Sequence, residues 1–184
     1  GDMELYGTFS HPEGRVNCVR FSPDGSAMAS ACDDKVIRIW SVKTMSITRH
    51  LVGHQGEVTA IDFSPDSSLL ASCAWDRSVR LWDPNQCDEH GECESVASNR
   101  HPVGRLSTAI SFSKHHENLL ASSADNRIFL WEIALDRGVP VGGRGPLFYR
   151  LVHLRTLTGH SNLVSCLVFG RCERRRPATE GSEQ

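Results

Sequence analysis

The chain repeats itself, and that repetition constrains its fold more than any other feature. Shifting the sequence by 42 positions lays Val16 through Asp24 onto Val58 through Asp66, Ser30 onto Ser72, Asp34 onto Asp76 and Trp40 onto Trp82. The clearest copy runs from Gly53 to Trp82 and reads as three short strands. Val58 to Phe63 alternates, with Val58, Ala60 and Asp62 on one side and Thr59, Ile61 and Phe63 on the other. Ser64-Pro65-Asp66 then breaks the pattern with turn residues, Leu69 to Cys73 forms a second apolar run, and Asp76-Arg77 turns the chain into Val79-Arg80-Leu81-Trp82. A third copy has strands at Ser107–Phe112, Leu119–Ser122 and Arg127–Trp131, and a fourth opens with Gly159-His160 and Val164–Phe169 and goes no further. A lone three-stranded meander cannot bury both of its faces, so each copy needs a like neighbour.

Recurrence every roughly 40–45 residues, with Gly-His near the start and Trp at the end, is the signature of propeller blades. The chain resembles the WD40 repeat family from about Leu5 to Phe169, because several marker positions recur together. The resemblance implies an all-β fold, a partial β-propeller of about three four-stranded blades plus the first strand of a fourth. Residues 1–10 are then an outer strand leading into blade one, 11–53 blade one, and 54–100 blade two with a long polar loop. Residues 101–158 are blade three with a Gly/Pro insertion at Asp136–Pro146, 159–169 start a fourth repeat, and 170–184 form a disordered polar tail. The outer strand of blade two is expected at Glu94–Ala97. Blade three is the least regular. Its His101 lies two positions upstream of the Gly-His histidine, and Ser122 to Asp125 is one residue shorter than Ser72 to Asp76.

Length and charge bound the function. The 184 residues suffice for a substantial core, and a formal net charge of −2 argues against a general nucleic-acid binder, which needs excess Lys and Arg. No apolar run approaches the roughly 20 residues of a membrane span, and no signal-peptide pattern opens the chain. Seven cysteines is an odd number, and Cys18, Cys32, Cys73 and Cys166 fall in expected strands as small buried hydrophobes. With no N-glycosylation sequon, this favours the cytoplasm or nucleus over secretion.

Three polar constellations could carry chemistry. His54, Ser72, Asp76 and Trp82 include the types of a Ser-His-Asp hydrolase, but the set recurs as His11, Ser30, Asp34 and Trp40, and neither serine sits in a G-x-S-x-G elbow. The family resemblance implies instead a buried hydrogen-bond relay in each blade, running from indole to serine to histidine to aspartate. Ser122, Asp125 and Trp131 belong to the corresponding set of blade three, and His160 to that of the fourth repeat. Cys87-x2-His90-x2-Cys93 offers only three metal ligands at an unusual spacing with acidic residues between them, and reads as a solvated loop. Arg171 and Arg174-Arg175-Arg176, flanked by Glu173 and Glu180, read as a solvated tail rather than a nucleic-acid patch. No P-loop, HExxH or paired carboxylate stands out, so neither catalysis, a cofactor nor a metal is expected.

The resemblance places function on loop faces. The loops before the first strand and between the second and third strands would carry Arg15 and Asp33 in blade one, and Gln55, Glu57 and Trp75 in blade two. Trp75 stands at a turn tip and is the expected hot spot for a protein partner, the alternative being an indole folded onto its own blade. The expected function is a non-catalytic scaffold for protein–protein interactions. The alternative is the substrate-recognition portion of a larger enzyme assembly such as a ubiquitin ligase, and a weaker one is a phosphate- or nucleic-acid-reading surface built on Arg15, Arg77 and Arg105. Three blades do not close a ring. The chain is therefore expected to be a fragment, or to self-associate or complete its ring with another chain through exposed blade flanks.

Overall fold

The computed structural model describes residues 7–12, 14–116, 118–137 and 147–169. All regular elements among these residues are strands, in three sheets that follow the three repeats. Blade one orders β1 (Val16–Phe21), β2 (Ala27–Cys32), β3 (Ile37–Ser41) and β4 (Ile47–Leu51), with β8 (Glu92–Cys93) added parallel to β4 as a fifth strand. Blade two is β5 (Val58–Phe63), β6 (Leu70–Ala74), β7 (Ser78–Trp82) and β9 (Ala97–Arg100). Blade three is β10 (Ser107–Phe112), β11 (Leu119–Ala124), β12 (Arg127–Arg137) and β13 (Leu147–Leu157). Apart from the parallel β4–β8 pair, every neighbouring pair within the blades is antiparallel.

The core lies between blades. Val58, Ile61, Phe63, Leu70 and Trp82 of blade two pack with Ala29, Ile37, Ile39 and Leu51 of blade one. Its other side, with Ala60, Ala71, Val79 and Leu81, packs on Ile110, Phe112, Phe129 and Trp131 of blade three. Simple alternation, which groups Val58 with Ala60, is therefore corrected. The β5–β6 register shifts between Val58 and Ala60, a bulge that turns Val58 onto the side of Ile61 and Phe63. The same shift recurs between Val16 and Cys18 and between Ser107 and Ala109.

Each bulged residue carries a polar side chain that reaches the next repeat. Asn17 Nδ2 donates to the Val58 carbonyl at 3.0 Å, Thr59 Oγ1 to the Ser107 carbonyl at 2.8 Å, and Thr108 Oγ1 to the Val164 carbonyl at 2.5 Å. The segment around Val164 is thereby held against blade three, with Val164 N–H donating to the Asp125 carbonyl and Ser123 Oγ donating to the Val164 carbonyl. No strand ladder forms at 161–169. Cys166 is consequently exposed rather than buried, whereas Cys32 and Cys73 are buried and Cys18 is half-buried. Burial pushes the Cys73 thiol up to about 12 and Cys32 to about 11, so neither is a ready nucleophile.

Two sequence expectations move. The outer strand of blade two is Ala97–Arg100, not Glu94–Ala97, because Ala97 pairs with Leu81 and Arg100 with Ser78 while the preceding residues cross to blade one. Residues 7–12 form no strand, and the rest of the expected 1–10 outer strand lies outside the described residues, as do most of the Gly/Pro insertion and the 170–184 tail with Arg171 and Arg174–Arg176.

Because the bulge side chain links neighbouring blades, Thr59→Val keeps shape and removes the donor. It is expected to cost about 1 kcal/mol, seen as a lower urea midpoint at unchanged slope.

Candidate functional site

Blade two holds a continuous buried relay. Trp82 Nε1 donates to Ser72 Oγ at 2.8 Å, Ser72 Oγ lies 2.7 Å from His54 Nε2, and His54 Nδ1 lies 2.9 Å from Asp76 Oδ2. A carboxylate only accepts, so Nδ1 carries the ring proton and Nε2 accepts from the serine hydroxyl. Burial lowers the His54 pKa despite the carboxylate, so the ring is neutral. Burial works against the Asp76 anion, but His54, the Ser78 hydroxyl and the Gln55 N–H hold it well below the usual carboxylate range. Gly56 lets the two loops meet, since a Cβ there would lie 2.6 Å from the Asp76 nitrogen.

Blade three builds its relay from different residues. Trp131 Nε1 donates to Ser122 Oγ at 2.7 Å, and Ser122 Oγ lies 2.7 Å from Nε2 of His101, the histidine two positions upstream. The longer loop absorbs those positions through Gly104, whose φ is +103° and whose Cβ would meet Ala124. His101 Nδ1 faces the Ser107 hydroxyl at 3.0 Å instead of a carboxylate. Asp125 is displaced from the relay because the turn is one residue shorter and pairs Ala124 directly with Arg127. Its carboxylate accepts the Arg105 and Leu106 N–H groups, both at 3.0 Å. Burial pushes His101 down to about 4. The signal for His101 was its residue type; its offset hid it, and Ser107 carried no signal.

Blade one departs further. Trp40 Nε1 donates to Ser30 Oγ at 2.8 Å, but the His11 Nε2 that corresponds to the serine-facing nitrogen of blade two lies 3.1 Å from Arg38. Arg38 also pairs with Asp34 at 2.7 Å. The cause is Val36, which stands where blade two has Ser78. In blade two that hydroxyl binds Asp76 at 2.6 Å and accepts from Arg80 Nε at 3.3 Å. Without it, Arg38 takes the carboxylate, and its Nε is left with no partner among the described residues. His11, Cys32 and Asp34 place ligand-type atoms within 4.8 Å of one another, but the guanidinium already occupies the Asp34 carboxylate, which opposes a cation there. His160, placed by the sequence in a fourth relay, is exposed, and its carbonyl accepts from Asn126 Nδ2 at 3.0 Å. A buried relay there would need strands that the described residues do not contain.

The loop residues fall on one edge. Arg15 and Asp33 pair through both backbones and through Arg15 N–H to the Asp33 carboxylate at 2.8 Å, and Trp75 N–H donates to the Glu57 carbonyl at 2.9 Å. Gln55 is tied by its N–H to Asp76, and Trp75 is 47% exposed on this braced tip. Leu106 and Leu163, which correspond to Glu57 in the following repeats, are also exposed.

The pattern described for WD domain, G-beta repeats matches residues 3–41, 45–83 and 93–132. The chain belongs to the WD40 repeat family. Its fold is an all-β partial propeller of three blades. It is 37% identical over 51 residues to the WD40 repeat-containing protein HOS15 of Arabidopsis thaliana and 38% identical over 56 residues to the general transcriptional corepressor TUP1 of Saccharomyces cerevisiae. These alignments cover 28% and 29% of this chain and 8% of each relative. Among solved structures, U3-55K and the RRP9 WD40 repeats superpose with TM-scores of 0.67 at 19% and 20% identity, covering 86% of this chain and 43% of theirs. The WD40 chain thus spans less than half of those structures and a small part of the two relatives.

Two outcomes test the relays. Asp76→Ala removes the carboxylate that accepts from His54, the Ser78 hydroxyl and the Gln55 and Ser78 N–H groups, and is expected to lower stability by roughly 2–4 kcal/mol in urea unfolding at pH 7. His101, about 4 when folded against about 6.5 unfolded, contributes stability that is complete above pH 6.5 and is lost as pH falls toward 4. The loss should reach roughly 3 kcal/mol, and His101→Gln should flatten that part of the pH profile.

Proposed function

We propose that this WD40 chain is a non-catalytic scaffold that docks other proteins through the loop edge carrying Arg15, Asp33, Gln55, Glu57 and Trp75. The observation that carries the reading is Trp75, a large indole half-exposed at a turn whose backbone is fixed by Glu57 and whose neighbour Asp76 is anchored in the relay. A rigid, exposed tryptophan contributes apolar contact area with little ordering entropy, and tryptophan is enriched among residues that dominate binding. The polar side chains around it would supply register, and exposed Leu106 and Leu163 extend the apolar part of the edge. Catalysis finds no support in the relays, because the Ser30, Ser72 and Ser122 side chains are buried and Ser72 offers its proton to an enclosed histidine.

The same reading includes completion of the ring. Phe21 of blade one is 60% exposed, while its counterparts Phe63 and Phe112 are 6% and 2% exposed under a preceding blade. Val16 and Val19 are also exposed where Val58 and Ile61 are covered. The flank of blade one therefore suits another blade of this kind, from a longer chain or from a second one. Division of the chain at 11–53, 54–100 and 101–158 belongs to this proposal. So does a cytoplasmic or nuclear location, which the name of the corepressor relative supports. No described helix is long and apolar enough to cross a membrane.

Capture of partners from a cell extract by the full chain, followed by titration of the recovered protein, tests the docking edge. Trp75→Ala should weaken binding by about 10-fold or more while leaving the unfolding midpoint within error. Unchanged affinity would remove the indole from the docking surface.

A further inference from the structure

The polar loop after Trp82 does not hang in solvent. Cys87 and Cys93 are joined by a disulfide, so the stretch read as a solvated loop is covalently closed and both thiols are removed from metal binding. Beyond the covalent bond, the segment is folded on itself. The Asp88 carboxylate accepts from the N–H groups of His90 and Glu92, Asp88 N–H donates to the Glu92 carbonyl, and Gly91 N–H donates to the Asp88 carbonyl. It is also attached to the wrong blade for its place in the chain. His50 N–H donates to the Gly91 carbonyl at 2.8 Å and Val52 N–H to the Cys93 carbonyl at 3.1 Å, while Arg49 Nε reaches the Pro84 carbonyl at 3.3 Å. Cys93 is fully buried among Leu51, Val58 and Trp82, and Cys87 packs against the same cluster while remaining partly open to solvent.

We propose that Cys87–Cys93 is a redox-modification site, a reversible clasp that decides whether β8 covers the outer edge of blade one. Two features of the structure carry this. First, β8 has only two residues, and a two-residue strand on an outer edge has little pairing of its own to oppose the entropy of the free loop. The cross-link removes that freedom in advance. Second, blades two and three stand as four-stranded sheets with no added strand, so blade one without β8 matches its neighbours and opening stays local.

The chemistry is thiol–disulfide exchange with a small-molecule thiol such as glutathione. Its thiolate attacks the accessible Cys87 sulfur, the bond to Cys93 breaks, and the Cys93 thiolate takes a proton. A second glutathione thiolate then attacks the mixed disulfide, releasing reduced Cys87 and glutathione disulfide. Two glutathione molecules are oxidised and the protein disulfide is reduced by the same two electrons. Reoxidation by glutathione disulfide runs the steps backward. Opened in this way, β4 exposes the N–H groups of His50 and Val52 as a free strand edge.

The test uses the full chain equilibrated in glutathione buffers of graded oxidation, with thiols counted by alkylation and mass. Amide hydrogen exchange is followed at His50 and Val52. The proposal expects both protein states to be populated across the series. Reduction should accelerate exchange at these two amides by roughly 10- to 100-fold, with the β3 amides unchanged. Cys87→Ser, which leaves the buried Cys93 in place, should show the fast exchange without reductant and no response to it. Equal exchange in the oxidised and reduced wild type, or a disulfide that stays closed under excess thiol, would overturn it. Neither readout depends on a docked partner, so the clasp and the Trp75 edge stand or fall separately.

Discussion

The fold depends on one irregularity repeated three times, an extra residue at the start of each inner strand. A blade has two apolar faces and no way to cover either alone. The bulge at Asn17, Thr59 and Thr108 solves two problems together. It changes the phase of the strand, so that Val58 joins Ile61 and Phe63 against the preceding blade while Ala60 turns to the following one. It also frees the bulged side chain from the ladder and aims it at a carbonyl of the next repeat. Sheet-on-sheet packing is otherwise non-directional and would tolerate sliding. A short directional bond at each junction sets how far one blade is displaced along its neighbour.

This device explains what could and could not be seen in the residues. The blades, their turns and their closing tryptophans were legible, because Trp40, Trp82 and Trp131 recur with Ser30, Ser72 and Ser122 opposite them. The facing of Val58 was not, since strict alternation has no place for an inserted residue. The hint lay in Asn17, Thr59 and Thr108, which are all polar at one position of the repeat. The relays were legible where loop length is conserved between copies and lost where it changes. A turn shortened by one residue moved Asp125 from an imidazole to two backbone amides, and Val36 in place of Ser78 handed Asp34 to Arg38.

The disulfide-closed loop was illegible for a different reason. Its composition, with Asp88, Glu89, His90 and Glu92 in succession around one glycine, is that of a solvated turn. What holds it is pairing with β4, some forty residues away in sequence and in the neighbouring blade. Local chemistry carries no record of such a partner. Cysteine parity gave no signal of the pair either, because an odd total is compatible with one bonded pair and several buried thiols.

The relay and the proposed docking edge are joined through a single carboxylate. Asp76 accepts from His54, from Ser78, and from the backbone of Gln55, so one anion anchors both loops that meet at the tip. Trp75 is the residue next to it. The groups of a hydrolase triad are all present, yet the serine proton points inward to an imidazole that burial keeps neutral, and the indole N–H occupies the serine oxygen. Ser72 and His54 are both buried. What the arrangement supplies is stiffness. A tip already fixed by an internal hydrogen-bonded chain loses little freedom when a partner settles on it, and that saving in entropy is the contribution a buried relay can make to binding at the surface.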